Sequence, residues 1–191
     1  MKRILASIIL PAILFSCSHL AAGQAASGSL DDELLQAAGN GDTATVEQLL
    51  SKGAKIEAKD PNGRTALLLA ASNGKPDVAR VLLDKGANIE ATDIGGYTAL
   101  IAAALWGKTE VVKLLLDKGA NIEAKTLDGN TALITAVTGA PFWNSGEAVK
   151  LLLEKGANAN VKGSNGDTPL SLAEKAGSTD IVNLLRAHGA Q

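Results

Sequence analysis

The sequence predicts an all-α solenoid, a row of short helix–turn–helix units stacked side by side. Three observations point to it. One phrase recurs four times, as Gly63-Arg64-Thr65-Ala66-Leu67, Gly96-Tyr97-Thr98-Ala99-Leu100, Gly129-Asn130-Thr131-Ala132-Leu133 and Gly166-Asp167-Thr168-Pro169-Leu170. Its threonines are 33, 33 and 37 residues apart, and a fixed period near that length marks a stacked repeat. Each phrase is followed by two apolar helical segments with a break between them. Finally, 46% of residues are apolar but only 3% are aromatic. The core must then be built from Ala, Leu, Val and Ile, which suits small, closely stacked helices. Stacked repeats present a surface rather than a catalytic pocket.

Residues 1–29 read as an export signal and flexible tail. Lys2-Arg3 precede a 12-residue apolar run from Ile4 to Phe15, and small residues follow through Ser29. A charged start, a short apolar stretch and a small-residue tail are the grammar of an export signal. The run is too short to span a bilayer as a lasting helix. The repeats are therefore expected outside the cytoplasm, most simply in a bacterial periplasm. Leu14-Phe15-Ser16-Cys17 resembles the bacterial lipoprotein processing box, in which the cysteine becomes the lipidated first residue and would hold the chain at the envelope membrane. Ordinary cleavage near Ala22–Ala25 would discard Cys17 instead, and both routes stay open. Cys17 is the only cysteine, so no disulfide can form within one chain.

Residues 30–191 read as one repeat domain of five units, about 30–59, 60–92, 93–125, 126–162 and 163–191. The second unit shows the pattern. Helical turns begin at Ala66-Leu67-Leu68-Leu69-Ala70-Ala71 and break at Asn73-Gly74. A second apolar helix, Val78-Ala79-Arg80-Val81-Leu82-Leu83, then closes at Asp84-Lys85-Gly86-Ala87-Asn88. Pro76 falls near the start of that helix, where its missing N–H costs nothing. Gly86, Gly119, Gly156 and Gly189 follow the second helices, where a left-handed residue ends them. The first unit lacks the phrase and starts with Asp31-Asp32-Glu33, polar residues suited to an exposed helix start. The last stops at Leu184-Leu185-Arg186-Ala187-His188-Gly189. Both ends read as caps of the stack.

These residues resemble the ankyrin repeat family from about Leu30 to the C-terminus. Gly-x-Thr-Ala/Pro-Leu, the Ala-Ala pair, the Val/Leu-rich second helix and Gly-Ala-Asn recur in the family's order. The resemblance implies helix–turn–helix units joined by β-hairpin-like loops. Where the family often has His after Thr-Pro-Leu, this chain has Leu68, Ile101, Ile134 and Ser171. Apolar packing then replaces a hydrogen bond at three sites, and the family's usual polar network between repeats is not expected there.

Enzyme chemistry has little to use. The two histidines are His19, in the tail, and His188, in the last cap; they cannot form a clustered zinc site or a triad beside a pocket. Gly107-Lys108-Thr109 looks like the end of a phosphate-binding loop, but Ala102 stands where the motif needs its first glycine and no strand precedes it. Asp60 and Asp93 read as turn residues rather than metal ligands. No cofactor and no metal are expected. Formal charge is −2, and removal of Lys2 and Arg3 makes it −4. Lys52, Lys85, Lys118 and Lys155, with Glu57, Glu90 and Glu123, recur at repeat positions and should form ladders on a solvated, mixed-charge surface. With no basic block, nucleic acid is not an expected partner.

The third and fourth units break the pattern. After residue 29 the aromatics are Tyr97, Trp106, Phe142 and Trp143, all within 47 residues. Matching positions in the second unit hold Arg64 and Ser72-Asn73. In the ankyrin family such positions vary and face the concave, partner-binding side. The fourth unit carries a four-residue insertion within Gly139-Ala140-Pro141-Phe142-Trp143-Asn144-Ser145-Gly146, whose Gly and Pro predict a loop. Helices packed about 8–10 Å apart bring neighbouring units into reach. Tyr97, Leu105, Trp106, Phe142 and Trp143 can then form one patch, extended by Ile94 and Leu127 on adjacent hairpins. Exposed apolar patches mark interaction sites, and Trp and Tyr are favoured anchors. In the other reading the inserted loop folds back and buries Phe142 and Trp143 against the stack. The expected function is non-catalytic: a monomeric accessory scaffold binding another exported protein through the concave face of units three and four. An immunity-type inhibitor of a toxin or enzyme is the alternative. A small-molecule or enzymatic role is disfavoured by the lack of clustered polar chemistry.

Overall fold

In a computed structural model the described residues are 28–143 and 145–191, with residues 141–143 described by their backbone alone. The expected export signal and Cys17 lie outside the described residues. Ten α-helices and no strand are present among those that are described: α1 Leu30–Asn40, α2 Thr43–Ser51, α3 Ala66–Ser72, α4 Pro76–Asp84, α5 Ala99–Leu105, α6 Thr109–Asp117, α7 Ala132–Trp143, α8 Gly146–Glu154, α9 Pro169–Lys175 and α10 Thr179–Ala187. Each odd-numbered helix packs on the even-numbered one that follows it. The odd-numbered helices also stack on one another in sequence order, as do the even-numbered ones, giving two layers.

The recurring threonine is what starts the first helix of a unit. Thr65, Thr98 and Thr168 are N-caps with extended backbone, and their hydroxyls accept the N–H groups of Leu68, Ile101 and Ser171 at 3.4, 3.3 and 3.2 Å. Thr131 accepts the Ile134 N–H in the same way. Such a cap satisfies a backbone donor that the helix leaves unpaired, which matters here because Thr65, Thr98 and Thr131 are buried. The residues in the family's histidine slot behave as the sequence implies. Leu68, Ile101 and Ile134 are buried. Ser171 instead completes a capping box with Thr168. The first unit, without the phrase, caps α1 through Ser29 and Asp32, and Pro76 stands in the first turn of α4 as expected.

The core runs continuously through both layers. It is made largely of fully buried Leu, Ile, Val and Ala, among them Leu34, Leu67, Leu100, Leu133 and Leu152. Burying such a side chain contributes roughly 1.5–3 kcal/mol. Because each helix pair shares its apolar faces with its neighbours, the stack is stabilised between units as much as within them.

A polar ladder joins the units where a mixed-charge surface was expected. Glu57 Oε1 accepts the Asn88 N–H at 2.7 Å, Glu90 that of Asn121 at 2.7 Å, and Glu123 that of Asn158 at 2.8 Å. Asn160 holds the equivalent position in the next unit. Its Oδ1 accepts the Gln191 N–H at 2.8 Å and its Nδ2 donates to the Gly189 carbonyl. The lysines make separate rungs, Lys118 to Asp84 and Lys155 to Asp117, each at 2.7 Å.

One sequence expectation needs correction. The segment 139–146 is not a loop throughout: α7 continues to Trp143, for 12 residues, where α3, α5 and α9 have seven. The reason lies nine residues after each capping threonine. Gly74, Gly107 and Gly177 hold that place with positive φ of 66°, 60° and 68°, a conformation that ends a helix and suits glycine. The fourth unit has Ala140 there, so the helix runs on, through Pro141.

Candidate functional site

The loops between units are tight turns stacked in a row. Asp60 N–H donates to the Arg64 carbonyl, Asp93 to Tyr97, Thr126 to Asn130 and Gly163 to Asp167, at 3.0–3.2 Å. The aspartates act as the turn residues the sequence predicts. Asp60 Oδ1 accepts the N–H groups of Asn62 and Arg64 at 2.9 Å, and Asp93 Oδ1 those of Gly95 and Tyr97 at 2.8 and 2.9 Å. Successive turns are bonded to each other as well: Ile94 N–H donates to the Asn62 carbonyl at 3.1 Å, and Leu127 N–H to that of Gly95 at 3.0 Å.

This arrangement puts two of the candidate residues in water on adjacent turns. Ile94 is 70% exposed and Leu127 80% exposed, each at the tip of its turn. Ile94 lies over Gly63, and Leu127 over Gly96. A Cβ on Gly96 would come within 2.8 Å of the Leu127 nitrogen, so a side chain there would push the two turns apart. Tyr97, in the same row, is half-buried and packs against the core. Its ring edge lies over Gly95. Burial first, then the negative charges of Asp128 and Asp93, push the Tyr97 hydroxyl pKa up.

Leu105 and Trp106 fall at the other end of α5. Its seven residues span about 10 Å. The seven candidates therefore divide into two groups, one at the turn tips and one where α5 ends. Leu105 is the last residue of α5 and Trp106 its C-cap; both are half-buried. Trp106 takes the slot of Asn73, whose side-chain amide donates to the Gly39 carbonyl of the preceding unit at 3.0 Å. The extension of α7 is fitted against this end of α5. A Cβ on Gly139 would collide with the Leu105 carbonyl oxygen. The fully buried hydroxyl of Ser145 donates to that oxygen at 3.4 Å. Phe142 and Trp143 stand in the last turn of α7.

Charge is arranged differently in successive turns. Burial alone would raise the Asp60 pKa, but hydrogen bonds and charge from Arg64 hold its carboxyl below the usual range. Arg64 closes an ion pair with Asp60 Oδ2 at 2.7 Å. In the next turn the Arg64 slot holds Tyr97, so Asp93 keeps its backbone donors but has no ion-pair partner among the described residues. The Asp60–Arg64 lock, the backbone N–H partners of the glutamates and the Gly139–Leu105 contact were not read from the sequence. The alternation of Arg64 with Tyr97, and of Gly107 with Ala140, were the available signals.

Among the described residues no group of three His, Cys, Asp or Glu side chains is placed to hold a metal ion, and no helix is long and apolar enough to cross a membrane. Gly107 ends α5, and Lys108 is the N-cap of α6.

Comparison with known proteins gives the same architecture. Two segments, residues 34–126 and 121–191, match the family model described as ankyrin repeats in three copies. No curated protein matches the chain. The matched residues take in all ten helices apart from the first residues of α1, so the repeating caps and stacked turns are those of a known repeat, and the chain belongs to the ankyrin repeat family.

Proposed function

We propose that this chain is an exported, non-catalytic accessory scaffold of five ankyrin units, joined by hairpin-like loops. It works as a monomer in the bacterial cell envelope and binds another exported protein through the concave face of units three and four. Ankyrin repeats are generally protein–protein interaction modules and are typically non-enzymatic. The observation that carries the specific reading is the pair Ile94 and Leu127, 70% and 80% exposed on adjacent turns. Large aliphatic side chains left in water at neighbouring positions favour a partner that covers them. Tyr97 beside them, and Trp106 with α7 at the other end of α5, supply the aromatic anchors that such interfaces use. The charged start and short apolar run before residue 16 support export, by the soluble or the Cys17-lipidated route.

The test is capture of partners from periplasmic extract by the mature chain, compared with an Ile94→Ser/Leu127→Ser double variant and a Trp106→Ala/Trp143→Ala double variant. A partner held by the natural chain and lost by the variants, with all three equally folded, supports the reading. A partner retained by both variants places the interface elsewhere. Intact-mass measurement on the native protein tests export. A diacylglycerol adduct on an N-terminal Cys17, or a start near Gly23–Ala26, is expected; an intact Met1 in a cytosolic fraction would remove the envelope assignment.

A further inference from the structure

We propose that the turn row of units three and four docks a linear partner segment presenting a lysine or arginine next to an aliphatic residue, the cation bridging Asp93 and Asp128 and the aliphatic group covering Ile94 and Leu127. The proposal rests on the protein-binding reading above and adds the chemistry of what is bound.

Its basis is a comparison between consecutive turns. In the second unit Asp60 is neutralised within its own turn, because Arg64 reaches Oδ2 at 2.7 Å. In the third unit the same backbone geometry is rebuilt around Asp93 Oδ1, but Tyr97 replaces the arginine. Asp93 Oδ2 is left without an ion pair or hydrogen bond among the described residues. Asp128, exposed at the tip of the next turn, has none either. Nearby lysines do not take up the charge. Lys59 Nζ donates to the Thr92 carbonyl at 2.9 Å, and Lys125 forms no ion pair with either carboxylate.

Asp93 Oδ1 accepts the Gly95 and Tyr97 N–H groups, and the Gly95 carbonyl accepts that of Leu127, the neighbour of Asp128. Both carboxylates therefore stand in the two bonded turns that hold Tyr97. Burial first, and then their negative charge, push the Tyr97 hydroxyl pKa up. An arriving cation therefore meets two negative groups and an aromatic ring together, and cations are attracted to such rings. The aliphatic pair lies within the same two turns, since Leu127 is hydrogen-bonded to Gly95, the neighbour of Ile94. Charge complementarity of this kind fixes register and rejects acidic competitors more than it adds raw affinity.

The test is an array of immobilised peptides in a constant Gly/Ser frame with a central Leu–X pair, where X is Lys, Arg, Gln or Glu, probed with the mature chain. Lys and Arg peptides are expected to be retained about tenfold more strongly than Gln, the worth of one charge-assisted hydrogen bond, and Glu less than Gln. Asp93→Asn/Asp128→Asn should erase the preference while leaving weak, X-independent retention. Leu127→Ser should weaken every peptide. Because Asp93 also holds its turn, Asp128→Asn alone serves as the second variant and should reduce the preference with unchanged circular dichroism. Equal retention of Gln and Arg peptides, lost in Leu127→Ser, overturns the cation and keeps the apolar surface. An array that retains nothing, while periplasmic extract still yields a partner, overturns linear-segment docking and leaves the binding module standing. An extract without a partner removes the module itself.

Discussion

Glu90 accepts the backbone N–H of Asn121 across 2.7 Å, from one repeat to the next. Asn121 in turn accepts the N–H of Glu123 through Oδ1 at 3.0 Å, and Glu123 reaches Asn158. Each Gly-Ala-Asn phrase therefore receives a carboxylate from the unit before, and its asparagine sets the next rung, Glu90, Glu123 or Asn160. The ladder supplies polar links between repeats at a place other than the histidine slot, which is filled by Leu68, Ile101 and Ile134.

Removing one rung should loosen the stack. Glu90→Ala is expected to lower stability by about 1 kcal/mol, typical of a partly exposed hydrogen bond, or about 2–4 °C in melting temperature for a domain of this size. Glu90→Gln keeps the acceptor oxygen and should lose less. Equal losses for both, measured by thermal denaturation, would show that charge rather than acceptance holds the rung.

The threonine caps should each matter more. Thr98→Ala removes the acceptor for the Ile101 N–H in a buried setting, and about 1–2 kcal/mol is expected. Thr98→Ser retains the hydroxyl and should recover most of it. Urea denaturation of the two variants reads the difference.

Gly139→Ala should destabilise although alanine is the better helix former. The new methyl would overlap the Leu105 carbonyl, and overpacking of this kind costs about 1–3 kcal/mol. Gly146→Ala is the control, because a Cβ there meets nothing. If Gly139→Ala raises the melting temperature, α7 does not press on α5 as described.

Acid should release the Asp60 lock. The folded-state pKa of Asp60 lies below its ordinary value of 3.8, so its contribution is complete above that value and fades as pH falls through the lower, folded one. Asp60→Asn should lose stability at neutral pH and show a shallower decline as the pH falls below the ordinary carboxylate value of 3.8. Parallel stability–pH curves for the two proteins would contradict this.

At the turn tips stability and binding should separate. Leu127→Ala is expected to change stability by no more than about 0.5 kcal/mol, since the side chain is in water. As an interface anchor it should weaken partner capture by about 2 kcal/mol, roughly thirtyfold. A sharp loss of melting temperature with capture intact would mean that Leu127 packs its own stack.

The sequence by itself determined the period, the helix pairs and the glycine stops of the second helices. Gly86 and Gly119 state their role locally, because a glycine after a helix is a left-handed stop. Burial of Leu68, Ile101 and Ile134 follows from their repeat positions. The fate of residues 139–143 needed tertiary structure, because Gly139 and Pro141 read locally as helix breakers. Gly139 serves instead to let α7 meet the Leu105 carbonyl, and Ala140 withholds the left-handed stop. The glutamates were legible as a ladder but not as acceptors. Their partners are backbone N–H groups 31 to 35 residues away, and only the stacking of one unit on the next brings a side chain and a distant backbone within 3 Å.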